Sequence, residues 1–417
     1  MQTSVWTAAI VSLLISGLVF LMSKPARSQT ESRTARVELP APTGNYAVGR
    51  TTFYWIDSSR PEAITEDPND KRELVVTLWY PAASATGAVA PYFENLDKLA
   101  GAVDPIQATF IRSVRAHTLA QATLSSAEPS YPVLLFSPGN EMNSVLYTAQ
   151  IEDLVSCGYV VLGIDHPYES LGVLYPDGRI ARHTDLNPKP GSPDFAQRAA
   201  RSYRERVDRR AEDAVFALGK LAELNEGRPP TQFKGRLDLT HLGGFGHSIG
   251  GVAAAQFCQI DKRFKACLNL DGHADSLPLF PDSAGKGPEQ PFMVIEDVAP
   301  EPTEKQLSDW KLTREQVKQM RERIRTRSAD LLKTVKSGSW RVTLSGATHQ
   351  SFSDELLVLN FGDATARAEN RRRTEIIRAY TVAFFDHCLK GRNSKLILSP
   401  TNDYPEAAVE RFLATRP

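Results

Sequence analysis

Neither sign of charge is in excess in this sequence: 49 Lys and Arg balance 49 Asp and Glu over 417 residues. No global field therefore draws the chain to nucleic acid or repels it from anionic lipid. Cysteine is scarce. Cys157, Cys258, Cys267 and Cys388 are all there is, and their spacing fits no metal motif. The expectation is four small buried apolar side chains; a Cys258–Cys267 bridge, between a predicted helix and the strand after it, stays open. No internal repeat is visible. Basic residues are missing from Met1–Ser4, although the run that follows, Val5–Met22, is apolar except for Thr7, Ser12, Ser16 and Gly17. That run is just long enough to span a bilayer. Ala26-Arg27-Ser28 beyond it has the small-x-small form of a cleavage site. Residues 1–28 are expected to be a signal peptide or a membrane anchor. Either places the rest outside the cytoplasm, as a secreted, periplasmic or anchored protein.

What is present reads as an ordinary globular chain, 41% hydrophobic and 24% charged. Residues 29–42 are polar and read as a linker, and 43–417 as one catalytic domain. Thr51–Ile56 and Leu74–Tyr80 form an opening antiparallel pair. Tyr131–Phe136, Tyr159–Ile164, Leu242–Phe245, Ala266–Leu270, Phe292–Ile295 and Trp340–Leu344 are short continuous apolar runs, suited to strands covered on both faces. Helical periodicity fills Arg201–Leu224 and Glu369–Leu389. The class is α/β, with a mostly parallel central sheet and helices on both faces. Helical insertions are expected over about 92–128 and 300–338. In the second, Thr313 and Gln316 make a capping box ahead of a Val317, Met320, Ile324 stripe. Arg314, Lys318, Arg321 and Arg325 lie opposite. The helix reads as a solvated cover or as a lid that touches anionic headgroups.

Gly246-His247-Ser248-Ile249-Gly250 carries the chemistry. This G-x-S-x-G stretch follows an apolar run and precedes Val252-Ala253-Ala254-Ala255, the strand–sharp turn–helix setting of a serine nucleophile. The glycines let strand and helix close up, and the strained turn pushes the hydroxyl out of the sheet. Such a serine needs a base oriented by a third group. Of eight histidines only His273, His349 and His387 follow Ser248. His387 sits within a helix, and His273 crowds the acid position. His349 follows the last apolar strand and is the expected base. Two acids remain open: Asp271 ends one strand, and Asp297, beside Glu296, ends the next. One oxyanion N–H is expected from Ile249. The other is expected from Asn140, in the loop Phe136-Ser137-Pro138-Gly139-Asn140-Glu141. The chemistry needs no metal or cofactor.

Several blocks, taken in order, resemble the secreted, lipoprotein-associated type of platelet-activating factor acetylhydrolase and its bacterial relatives, which are α/β-hydrolases. They are Gly44–Gly49, Tyr131–Gly139, Gly246–Gly251, Leu270-Asp271 and His349–Asp354, and the likeness runs from about 44 to 395. The resemblance implies Asp271 as the acid, with oxyanion donors at Asn140 and Ile249. It implies a 1-alkyl-2-acetylglycerophosphocholine esterase-like activity on short or oxidised sn-2 acyl chains of phospholipids. A broad carboxylesterase of small or polymeric esters and an inactive binding protein are the alternatives. Two departures stand out. Pro138 occupies a place where that family usually has His, and the interval from Asp271 to His349 is long.

Overall fold

The computed structural model describes residues 36–412 except 100, 102, 104, 190–191, 273–285, 299–300, 360–362 and 400–401. The expected leader and the first half of the linker, 29–35, therefore lie outside the described residues, as does His273. Among the described residues no helix is long and apolar enough to cross a membrane.

The centre is a ten-stranded sheet. In chain order its strands are β1 (Ala47–Pro61), β2 (Lys71–Ala82), β3 (Leu119–Ala120), β4 (Tyr131–Ser137), β5 (Val160–Asp165), β6 (Leu237–His247), β7 (Phe264–Leu270), β8 (Phe292–Asp297), β9 (Ser339–Leu344) and β10 (Ala407–Phe412). Their spatial order is β10-β9-β8-β7-β6-β4-β5-β2-β1-β3. From β5 to β9 every neighbouring pair is parallel. β1–β2 and β2–β5 are antiparallel, as is β9–β10. Burial explains the parallel part. β5 is buried along its whole length, and β7 at every residue but Lys265, so its apolar runs face helices on both sides.

The helices used below are α1 (Pro105–Ser113), α2 (Thr148–Ser156), α3 (Phe195–Glu226), α4 (Ile249–Ile260), α5 (Glu304–Trp310), α6 (Arg314–Lys333) and α7 (Ala364–Lys390). One core layer joins α3 and α4 to the sheet through Val207, Ala214, Leu218, Val252 and Phe257. The opposite layer joins α2 and α7 through Ile151, Leu154, Phe384 and Phe385. The chain is thus a three-layer α/β/α molecule, as its pattern implied.

Both insertions contain helix: α1 in the first, α5 and α6 in the second. Thr313 and Gln316 form the expected capping box, and Thr303 with Gln306 forms another at α5. Leu331 and Leu332 at the end of α6 are buried in the core layer of α3 and α4. Arg314, Lys318 and Arg325 are exposed on the outer side.

The expectation for the cysteines needs correction. Cys258 and Cys267 form a disulfide, while Cys157 and Cys388 are free and half-buried. The short return from α4 into β7 brings the two Cα atoms to 6.6 Å, within bridging range.

Parallel register aligns the strand ends that build the site. Gly246 of β6 lies opposite Ser137 of β4, and His247 opposite Leu270 of β7. The carboxyl ends of β4, β6, β7 and β8 therefore open on one crevice, where open α/β sheets place their ligands. Gly250 is what lets α4 approach that edge: a Cβ there would lie 2.1 Å from the Ser137 carbonyl oxygen. Gly250→Ala is expected to cost on the order of 3 kcal/mol, because neither backbone can yield. The urea midpoint should fall accordingly; an unchanged midpoint would mean the approach is not tight.

Candidate active site

Ser248 stands between β6 and α4 with φ 57° and ψ −127°. A left-handed φ in a non-glycine residue costs of order 1–3 kcal/mol and persists only where its surroundings enforce it. They do so here. The Ser248 N–H donates to the Leu270 carbonyl at 2.9 Å, and its own carbonyl accepts from Gly251 at 2.9 Å. A Cβ on Gly246 would come within 2.2 Å of the Gly250 oxygen, so only glycine permits this closure. Ile249 is the first residue of α4, where a backbone N–H has no intrahelical partner.

His349 opens a short turn, His349–Phe352, just after β9. Its Nδ1 lies 2.5 Å from Asp271 Oδ2. The side chain keeps 28% of its exposure, so it reaches the crevice without being swallowed by it. Asp271 also has a left-handed φ, 52°. Its N–H donates to the Ile295 carbonyl at 2.7 Å, and its Oδ1 accepts the Asp297 main-chain N–H at 3.0 Å. Of the two acids left open by the residues, Asp271 meets the imidazole, and Asp297 supports Asp271 from behind with its backbone. The end of the His349 loop is tied down as well. The buried Asp354 carboxyl accepts from the Tyr92 hydroxyl at 2.9 Å and from the Ala149 N–H at the start of α2 at 3.2 Å.

The electrostatics follow from burial and these contacts. Burial alone would lower the His349 pKa, but the Asp271 hydrogen bond and charge outweigh it and raise it above 6.5. Burial and the neighbouring Asp271 charge push the Asp297 carboxyl up to about 7. Glu296 also rises to about 7 through burial, against the opposing charge of Arg341. His247 packs against His349 with ring centroids 4.5 Å apart and the rings tilted by 39°. Burial and the His349 charge hold it well below the usual imidazole range, so it stays neutral.

The loop after β4 lies against the serine. A Cβ on Gly139 would sit 3.6 Å from Ser248 Cβ and 3.1 Å from both His247 Nδ1 and the Tyr147 hydroxyl. The Gly139 N–H is already engaged by that hydroxyl at 3.0 Å, which leaves Asn140 as the loop's next backbone donor. The Asn140 side chain is held by Arg206 and Glu141. Tyr147, Glu169, Arg206, Arg210, His247 and Asp354 were not singled out by their sequence. His247 at least lay inside the serine motif, and Asp354 inside a resembling block.

Among the described residues, His247, Asp271 and His349 could in principle ligate a metal, their ligand atoms lying within 4.8 Å of one another. Asp271 and His349 are paired with each other, however, and His247 Nδ1 with Tyr147 at 2.8 Å. A cavity of about 790 Å³ lies elsewhere, between Arg60–Ile64 and α3, and shares none of these residues.

A family model described as "Platelet-activating factor acetylhydrolase, isoform II" matches residues 32–390. A platelet-activating factor acetylhydrolase of Canis lupus familiaris is 27% identical over 263 residues, 58% of this chain and 56% of that protein. One of Gallus gallus is 23% identical over 377 residues, 81% of each. The chain thus spans little more than half the length of the mammalian relatives it matches, 58% for that of Bos taurus. Among solved structures, a ferulic acid esterase from Streptomyces cinnamoneus superposes with a TM-score of 0.66 at 26% identity, covering 90% of this chain and 99% of that one.

Two outcomes are expected of this geometry if neutral His349 acts as a base. Asp271→Asn should lower kcat by roughly 10⁴-fold, and Asp297→Asn by under about tenfold; the reverse order would reassign the acid. A base must be deprotonated, so kcat/KM should fall as pH drops through an apparent pKa above 6.5. Asp297→Asn removes a charge that favours imidazolium, so this limb should move to lower pH. A limb that stays in place would remove Asp297 from the electrostatics of the base.

Proposed function

The chain belongs to the platelet-activating factor acetylhydrolase, isoform II, family, and from that premise we propose that it is a serine carboxylic ester hydrolase. Ser248 is the nucleophile, His349 the base and Asp271 its orienting acid. His349 takes the hydroxyl proton as Ser248 attacks the ester carbonyl. The backbone N–H groups of Asn140 and Ile249 receive the developing oxyanion. The protonated imidazole then gives its proton to the departing alcohol, leaving an acyl-serine. Water, deprotonated by His349, attacks that ester and restores the serine. The single observation that carries this reading is the 2.5 Å His349–Asp271 bond in the crevice of the strained Ser248 turn.

The substrate class follows from the family: short or oxidised acyl chains at the sn-2 position of a phospholipid. A specific observation favours a second reading, a carboxylesterase of small or polymeric esters. The ferulic acid esterase is matched over 99% of its length, against 56% for the dog acetylhydrolase. The exposed basic side of α6 suits a transient contact with lipid headgroups. The Cys258–Cys267 disulfide fits a protein that folds outside the cytoplasm, secreted, periplasmic or anchored there.

Purified protein should hydrolyse p-nitrophenyl acetate, and Ser248→Ala should lose on the order of 10⁶-fold in kcat. Retained activity in the alanine variant would overturn the mechanism. A wild type inert on every ester would instead point to a binding protein on this fold. A series of sn-2 phospholipids of rising chain length, set beside feruloyl and simple alkyl esters, separates the substrate classes. Preference for acetyl and short oxidised chains supports the phospholipid reading; equal or better rates on feruloyl esters contradict it.

A further inference from the structure

We propose that Arg210 and Tyr147 are positioning residues for the oxyanion loop, gripping the two ends of the Pro138–Gly139 peptide unit and so aiming the next N–H, that of Asn140, at the reaction centre. This rests on the reading of Ser248 as an ester-attacking nucleophile. A trans peptide is planar, and its C=O and N–H point in opposite directions. Here both ends are held. Arg210 Nη1 donates to the Pro138 carbonyl at 2.6 Å, and the Gly139 N–H donates to the Tyr147 hydroxyl at 3.0 Å. A unit fixed at both ends cannot flip, and with the Glu141 N–H bound to the Glu169 carbonyl beyond it, the Gly139–Asn140 unit is held between two anchored points. Proline makes this necessary. Pro138 has no N–H of its own, and only its carbonyl offers a handle to the surrounding protein.

Each grip is braced from behind. Arg210 is fully buried, and its Nε donates to Glu169 Oε2 at 2.8 Å. Glu169 also receives Arg209 at 2.9 Å, and its backbone carbonyl accepts the Glu141 N–H at 2.8 Å. The loop is thus tied at Pro138 and again at Glu141. Burial would raise the Glu169 pKa, but Arg210, Arg206 and Arg209 outweigh it and hold it at about 2. On the other side, the Tyr147 hydroxyl lies 2.8 Å from His247 Nδ1. The hydroxyl gives its single proton to His247 Nδ1 or to Met142 Sδ, which lies 3.1 Å away, and its oxygen accepts from Gly139 in either case. The Tyr147 ring packs against Phe136 at 4.7 Å between centroids.

A second buried chain secures the residue before the clamp. Ser137 Oγ lies 2.9 Å from His166 Nε2, and His166 Nδ1 lies 2.9 Å from Asp213 Oδ2. Asp213 is in turn paired with Arg72 at 2.7 Å. The order Ser–His–Asp copies a catalytic array, yet none of the three is more than 1% exposed. No substrate reaches it. It holds the end of β4 in place, with burial keeping His166 at about 4 and therefore neutral.

Tyr147→Phe tests the clamp because it removes one hydroxyl and keeps the packed ring. Arg210→Lys keeps the charge beside Glu169 but not the fork that also reaches Pro138. In Tyr147→Phe, kcat on p-nitrophenyl acetate should fall about 10- to 100-fold with KM changed less than about twofold. Binding of a trifluoromethyl ketone, whose adduct with the serine carries an oxyanion, should weaken by the same factor. Because both residues hold one peptide unit, the double variant should lose no more than the worse single variant, short of additivity. A folded Tyr147→Phe with unchanged kcat, or with the loss confined to KM, overturns the proposal. Hydrogen exchange at the Gly139 amide reads the clamp without catalysis. It should accelerate in Tyr147→Phe, and unchanged protection overturns the proposal even if Arg210→Lys does not fold. Should the wild type hydrolyse no ester, the functional reading fails, while the exchange result still decides whether the clamp exists.

Discussion

The site depends on one steric fact: β6 and α4 meet so closely that only glycine fits at the seam. Side-chain carbon at Gly246 or Gly250 would lie 2.2 or 2.1 Å from backbone oxygen. That closeness forces Ser248 to φ 57° and projects its side chain beyond the sheet. It also brings the start of α4, with its unpaired N–H groups and positive dipole end, to the point where negative charge would develop. The strained turn is affordable because it is anchored in bulk. Phe245, Val252 and Ala253 around it are fully buried, and packing of that extent far outweighs a few kcal/mol of backbone strain.

Around this seam the polar groups are layered rather than scattered. Asp271 faces His349 directly. Asp297 and Glu296, pushed up to about 7 by burial and by like charge, do not set two further full charges beside it. His247 fills the space between the imidazole and Tyr147 as a neutral ring. The loop after β4 hangs from buried arginines on α3, a long helix that otherwise serves the core. Fold and chemistry are therefore coupled: the same α3 packs Val207 and Ala214 into one layer and supports the loop through Arg206 and Arg210.

Much of this was legible in the chain. Continuous apolar runs marked the buried strands because strands covered on both faces have no polar side to show. The sharp turn at Ser248 and the loop position of His349 were legible, because local glycine marks the one and a preceding apolar strand marks the other. The residues alone left Asp271 and Asp297 open, since both end strands on the same crevice; the family resemblance pointed to Asp271, and it is Asp271 that meets the imidazole. Strand β10 escaped notice because Ala407–Phe412 is a short, half-exposed edge interrupted by the adjacent charges Glu410 and Arg411. The Cys258–Cys267 bridge depends on how tightly α4 returns to β7, which spacing alone does not state. Tyr147 and Arg210 left no local trace. They meet Gly139 and Pro138 across 8 and 72 residues, and nothing at Pro138 in the sequence says what will hold its carbonyl.

The central claim is that the Ser248 oxygen becomes covalently acylated by an ester. Rapid quenching of the protein during turnover of a p-nitrophenyl ester, followed by peptide mass spectrometry, tests it directly. The account predicts one acyl group per chain, located on Ser248, forming with the burst of nitrophenolate and disappearing as turnover ends. Turnover without any acylated peptide, or an acyl group on another residue such as Ser137, would contradict it.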